Sequence, residues 1–112
     1  MSSRYVPDRG DIVWLNFSPH RGHEQGFRRP AIILSPLAYN QKTSLAILCP
    51  ITNWVKGYTF EVPLTQSMKT TGAVIADHIK NLDWSAREAV FIEKAPDELI
   101  DEVLAKIDAL IF

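Results

Sequence analysis

The sequence predicts a mainly β domain with one C-terminal α-helix: a small, strongly bent antiparallel barrel occupying the whole of residues 1–112. Three observations carry this. Short β-branched or apolar runs recur, first I-V-W-L, then A-I-I-L, then L-A-I-L-C-P-I, each bounded by glycine, proline or polar residues. No helix-period pattern separates successive runs, which argues against a βαβ arrangement and a parallel sheet. The one sustained helical pattern is the tail, where Leu99, Ile100, Val103, Leu104, Ile107, Leu110 and Ile111 recur at helical spacing.

Taken in order, Tyr5, Val6 and Pro7 offer apolar anchorage, and Arg9-Gly10 turns the chain into a first strand, Ile12 to Phe17. Apolar residues on both alternating faces predict a strand that is largely buried. A second strand is expected over Ala31–Leu34, with Pro30 and Pro36 at its ends, where a missing N–H breaks no central ladder. Leu37 to Lys42 reads as one helical turn. Leu45 to Ile51 is a third strand, bent or ended by Pro50, with Thr52 closing it and Cys49 as a small buried hydrophobe. Around the glycine of N-W-V-K-G-Y the chain turns into a fourth strand, Tyr58–Leu64; a fifth is expected over Ala73–Lys80 and a last over Ala89–Glu93. Pro96 falls at a first helical position, and Asp97 and Glu98 suit the positive end of the helix dipole.

A chain of this length holds one core and not two. Its apolar fraction of 46% and charged fraction of 22% are those of a soluble globular protein. No apolar run reaches the length of a bilayer span, and M-S-S-R-Y-V-P-D lacks the apolar segment of a signal peptide, so a cytoplasmic protein with no membrane contact is expected. A single cysteine excludes an internal disulfide. The net charge of −1 conceals a split: residues 93–112 hold six acids against two lysines, net −4, which leaves residues 1–92 at +3. A locally positive groove is compatible with that asymmetry. Metal-ligand spacings and phosphate-cradling glycine motifs are absent, so neither a metal nor another cofactor is expected.

The chemistry concentrates in F-S-P-H-R-G-H-E-Q-G-F-R-R, residues 17–29, a glycine-containing loop between two buried strands. Cutting a phosphodiester without metal requires a base, an acid for the leaving oxygen and cations on the developing charge. Glu24 or a loop histidine could serve as base. Arg29, at the junction with a buried strand, could grip a phosphate with its fixed fork of donors, or simply pair with Glu24. Thr52 could donate its hydroxyl to a phosphate oxygen or be an ordinary β-branched strand end. Trp54, Lys56 and Tyr58 around Gly57 offer a place for a base to stack beside a cation, against a core role for Trp54. Asp77 and His78 would point to opposite sides of a regular strand, and Trp14 and Trp84 read as core or interface residues.

Together, R-Y-V-P-D-R-G-D-I-V-W, G-H-E-Q-G-F-R-R-P-A-I-I-L-S-P, Y-N-Q-K-T, K-G-Y-T-F-E-V and A-D-H-I-K resemble the MazF/PemK family of toxin endoribonucleases over essentially the whole chain. The resemblance implies an SH3-like barrel of the CcdB/PemK type, a homodimer, metal-independent cleavage of single-stranded mRNA at a short sequence, and neutralisation by a cognate antitoxin. It assigns Arg29 and Thr52 as the catalytic pair and places Glu24 in the same site. The expected RNA-binding set is Phe17, His20, Arg21, Gln25, Arg28, Lys56, Tyr58, Asp77 and His78. Two departures stand out. Position 28 is arginine where close relatives resemble a His-Arg-Pro step, and Ile75 stands two residues before Asp77 where the PemK branch has arginine, which favours Arg29 and Thr52 over Asp77 in catalysis. Two other functions stay open at this point: gyrase poisoning of the CcdB type, which shares the fold but goes with a Trp-Gly-Ile end where this chain ends Leu-Ile-Phe, and a non-catalytic RNA-binding barrel.

Overall fold

In the computed structural model, residues 5–17 and 28–112 are described. The chain runs β1 (Asp11–Asn16), β2 (Arg28–Ile33), α1 (Leu37–Thr43), β3 (Leu45–Thr52), β4 (Glu61–Pro63), β5 (Ala73–Ile75), β6 (Lys80–Asp83), β7 (Val90–Lys94) and α2 (Asp97–Ile111). This is the predicted class, an antiparallel barrel-like sheet with a C-terminal helix. Its strands follow the order β4-β5-β3-β2-β1-β7, with β6 joined to β3, and β4 and β7 end the path without pairing to each other.

β1, β2 and β3 are buried on both faces, which explains their near-continuous apolar runs. On one side Ile12, Ile32, Cys49, Val62 and Val74 pack against Leu99, Ile100, Val103 and Ile107 of α2. On the other, Val13, Leu15, Ala31, Ile33, Ala46 and Leu48 are covered by Tyr5, Phe17, Leu82, Trp84 and Ala89. Cys49 is fully buried, and desolvation, aided by the charge of Asp77, pushes its thiol up to about 12, so it packs as an inert hydrophobe. The helical stripe outruns the core. Leu110 and Ile111 are exposed, because α2 extends past the sheet it covers. Pro96 precedes the first helical residue rather than occupying it; its ψ of 151° is extended.

Four strand assignments change. β2 begins at Arg28, which makes Pro30 its third residue; Arg28–Pro30 pair only with β1, since pairing with β3 starts at Ala31, and a one-sided strand tolerates a missing N–H. β3 runs through Pro50 to Thr52, one residue past the expected Ile51, so Pro50 does not end it. Along its other side it pairs first with β6, at Leu45–Leu48, and then with β5, at Ile51–Thr52, so Pro50 lies where the partner changes. The expected strand over Ala73–Lys80 is two strands with a turn between them, closed by His78 N–H donating to Ile75 O at 3.1 Å. The polar pair Asp77-His78 interrupts the apolar pattern there. The expected strand over Tyr58–Leu64 shortens to β4, because Tyr58–Phe60 is held in a turn in which Glu61 N–H donates to Tyr58 O at 3.0 Å.

Asn40, fully buried, ties α1 to its surroundings by donating to Pro7 O at 2.8 Å and Ser35 O at 2.9 Å while accepting from Ser35 Oγ. Its own carbonyl accepts from Trp84 Nε1 at 2.9 Å, which gives that tryptophan a structural role.

Candidate active site

The β2–β3 register pairs Ile33 with Leu48, Ile32 with Cys49 and Ala31 with Pro50, and there it stops. Neither Pro30 nor Pro50 has an N–H to carry the ladder further. Continuing the same register by two residues sets Arg29 across from Thr52. By strand alternation both lie on the face that Ala31, Ile33, Ala46 and Leu48 fill inside the second core. Two residues beyond the last paired residues, a packed surface thus gives way to Arg29 and Thr52, which line the same clefts.

These two residues form a shared wall between two clefts. The first, about 440 Å³, is lined by Arg28, Arg29, Pro30, Ile51, Thr52, Asn53, Lys69, Thr70, Thr71, Trp14 and Ile92. Among the described residues its charged lining is Arg28, Arg29 and Lys69, all cationic, which suits a phosphate. The second, about 380 Å³, is lined by Arg29, Thr52, Trp54, Lys56, Tyr58, Glu61, Ile75, Asp77 and His78. Asp77 and His78 therefore reach the same cleft: they follow β5 in a turn, where strand alternation does not apply.

Thr52 Oγ1 accepts the N–H of Trp54 at 3.0 Å, which fixes the hydroxyl and leaves its hydrogen to donate outward. Behind it, Gly72 has φ +111°, and a Cβ at that position would collide with the carbonyl of Thr52; only glycine lets the next segment pass so close. Arg29 is half-buried, and its side chain makes no hydrogen bond to another described residue. Arg28 is differently placed. Although it lines the first cleft, its guanidinium donates to Asn16 Oδ1 at 2.9 Å and to Glu88 O at 3.0 Å, which ties the β1 and β2 ends to the segment before β7.

Of the expected RNA-binding residues, Lys56, Tyr58, Asp77 and His78 are brought together with Arg29 and Thr52. Phe17 is not: it packs against the second core and lines neither cleft. His20, Arg21, Glu24 and Gln25 lie outside the described residues. Trp54 is 76% exposed, which removes the core reading of that side chain.

Sequence reasoning missed several residues of the lining and its supports. Asn53, Lys69, Thr70 and Thr71 reach the first cleft from polar segments with no motif. Glu93, on β7, accepts from the N–H groups of Lys69 and Thr70, at 3.0 and 2.7 Å, and from Thr70 Oγ1 at 2.6 Å. Desolvation opposes its charge, but these bonds and the lysine outweigh it and hold the carboxyl below its ordinary value. No local signal joins position 93 to positions 69 and 70. Glu61 could have been suspected, since it follows the Gly57 turn by four residues.

The family model of the PemK-like, MazF-like toxins of type II toxin–antitoxin systems matches residues 8–111. The endoribonuclease toxin MazF of Escherichia coli K12 is 43% identical over 111 residues, 99% of each chain. Among solved structures, MazF from Deinococcus radiodurans superposes with a TM-score of 0.89 at 50% identity, covering 96% of this chain and 98% of that one. A MazE–MazF structure from the same organism gives 0.86 at 45% identity, covering 96% and 97%. The chain belongs to the family of PemK-like, MazF-like toxins of type II toxin–antitoxin systems.

Proposed function

We propose that the protein is a metal-independent endoribonuclease toxin that cuts single-stranded mRNA in the cytoplasm at a short recognition sequence. The observation that carries this reading is the Arg29–Thr52 wall, with a cationic cleft on one side and an aromatic, mixed-charge cleft on the other. A single strand crossing that wall would set one phosphate against Arg29 and Thr52 and its flanking nucleotides in the two clefts. The relatives that carry the name endoribonuclease favour cutting over gyrase binding or passive RNA binding.

The RNA supplies its own nucleophile. The 2′-hydroxyl gives its proton to Glu24 or a loop histidine and attacks the adjacent phosphorus; the bond to the 5′-oxygen breaks, and that oxygen takes up a proton. The products are a 2′,3′-cyclic phosphate and a 5′-hydroxyl. Arg29 stabilises the pentavalent phosphorane. Arginine, with a pKa above about 12, is a poor proton donor at neutral pH, so its contribution is electrostatic. Thr52 donates to a non-bridging oxygen, and Glu24 orients the guanidinium. Digesting a long RNA with the purified protein in excess EDTA and sequencing the new ends is the test. Ends sharing a short sequence are expected, whereas no cutting, or ends without any consensus, contradicts the reading.

The protein acts as a homodimer neutralised by an acidic, partly apolar antitoxin segment that orders in the same groove. Exposed Trp14, Val90 and Phe91, together with Leu110, Ile111 and Phe112, offer the apolar surface for such contacts. Light scattering should give a dimer mass, and a stoichiometric antitoxin should stop cutting. A strict monomer at micromolar concentration, or a bound antitoxin with undiminished cleavage, would count against this.

A further inference from the structure

The segment between β3 and β4 is almost wholly exposed, with Trp54 at 76% and Tyr58 at 65%, so packing does not fix its shape. Its side chains are nonetheless arranged: Lys56 Nζ lies 5.4 Å from the Trp54 ring and 5.7 Å from the Tyr58 ring, a cation between two aromatic faces. One carboxylate holds this arrangement. Glu61 Oε1 accepts the N–H groups of Lys56 at 3.0 Å, Gly57 at 2.7 Å and Tyr58 at 3.3 Å, and Oε2 accepts that of Lys56 at 3.2 Å. Glu61 can act as an anchor because its own backbone is fixed in β4, paired with Ile75 of β5. Gly57, at φ +84°, supplies the backbone conformation that turns successive N–H groups toward one point.

Successive amides converging in this way form a nest suited to any anion, a phosphate oxygen as well as a carboxylate. Here the nest is filled from within the chain. An RNA phosphate therefore finds those amides occupied and is left to the side chains, Arg29 and Thr52 on the wall and Lys56 on the loop. We infer that Glu61 is a positioning residue for the RNA substrate: by occupying the amide nest it seats Trp54, Lys56 and Tyr58 in advance as a platform on which a nucleobase next to the cut stacks, with Lys56 against a neighbouring phosphate. This rests on the endoribonuclease reading above.

Desolvation works against the Glu61 charge, yet the three backbone bonds and Lys56 outweigh it and hold its carboxyl below its ordinary value. The linkage sign follows. The staple is intact above the ordinary glutamate pKa and is lost as pH falls through the lowered value. In wild-type protein the amide proton of Gly57, followed by NMR, should titrate with that lowered midpoint, and Glu61→Gln should abolish the titration.

Steady-state cleavage of an RNA oligonucleotide supplies the second readout. Glu61→Ala should raise KM about tenfold with kcat nearly unchanged, the cost of ordering two or three side chains on binding instead of beforehand. Glu61→Gln should recover most of the loss, since its amide oxygen can still accept the three bonds that converge on Oε1. A Gly57 amide that ignores Glu61, a Glu61→Ala protein with wild-type KM, or a loss confined to kcat would overturn the inference while leaving the cutting activity in place. A wild-type protein that cuts no RNA would overturn both.

Discussion

Replacing Arg29 with lysine is expected to lower the rate of RNA cleavage by about 10²–10³, the loss seen when a preorganised oxyanion donor is removed. The substitution keeps the positive charge and removes the planar fork, so it separates charge from geometry. Lysine offers a compact ammonium on a flexible stem, which cannot span two phosphate oxygens from a fixed strand position. The fold should be untouched, because Arg29 is only half-buried and its pairing with Leu15 is made through the backbone. Thr52→Val should cost less: it deletes one donor and keeps the β-branched shape at the end of β3. It also removes the acceptor for Trp54 N–H, so some of its effect should fall on RNA binding as well as on the chemical step. Single-turnover assays on an RNA oligonucleotide, with folding checked by circular dichroism, measure both variants. Wild-type rates in a folded Arg29→Lys protein would remove Arg29 from the mechanism.

The elements legible in the sequence were those in which one physical signal dominates. β1, β2 and β3 announce themselves through apolar runs because both of their faces are buried. The terminal helix announces itself through spacing. Where signals compete, the sequence misleads. Pro50 reads as a bend or an end of the strand, and β3 passes through it, because the residue marks a change of neighbour along the strand. Asp77 and His78 read as two faces of one strand, and a turn brings both to one cleft. Leu110 and Ile111 continue the helical stripe perfectly and still stay outside the core, since periodicity records amphipathicity without recording what is there to cover it.

The candidate site shows the same division. Arg29 and Thr52 could be named individually, but that they line the same two clefts follows from β2 and β3 running side by side, a pairing no local signal shows. Glu93 is beyond sequence reasoning for a related reason. Its partners Lys69 and Thr70 are distant in the chain and meet it only once β7 and the segment before β5 are both in place. Phe17 shows the other side of this: it opens the loop that carries most of the reactive side chains, while its ring packs against the second core.

In the proposed reaction the RNA's own 2′-hydroxyl attacks the phosphate held at the Arg29–Thr52 wall. The most direct measurement places a single 2′-deoxy substitution in an oligonucleotide, on the nucleotide 5′ of the mapped cut, and compares it with the all-ribose strand in excess EDTA. The ribose strand should yield a 2′,3′-cyclic phosphate and a 5′-hydroxyl, while the substituted strand should stay intact at that position and still bind. Cutting of the substituted strand at a comparable rate, or product ends bearing a 5′-phosphate, would show that water and not the ribose is the nucleophile, and would contradict the proposed reaction.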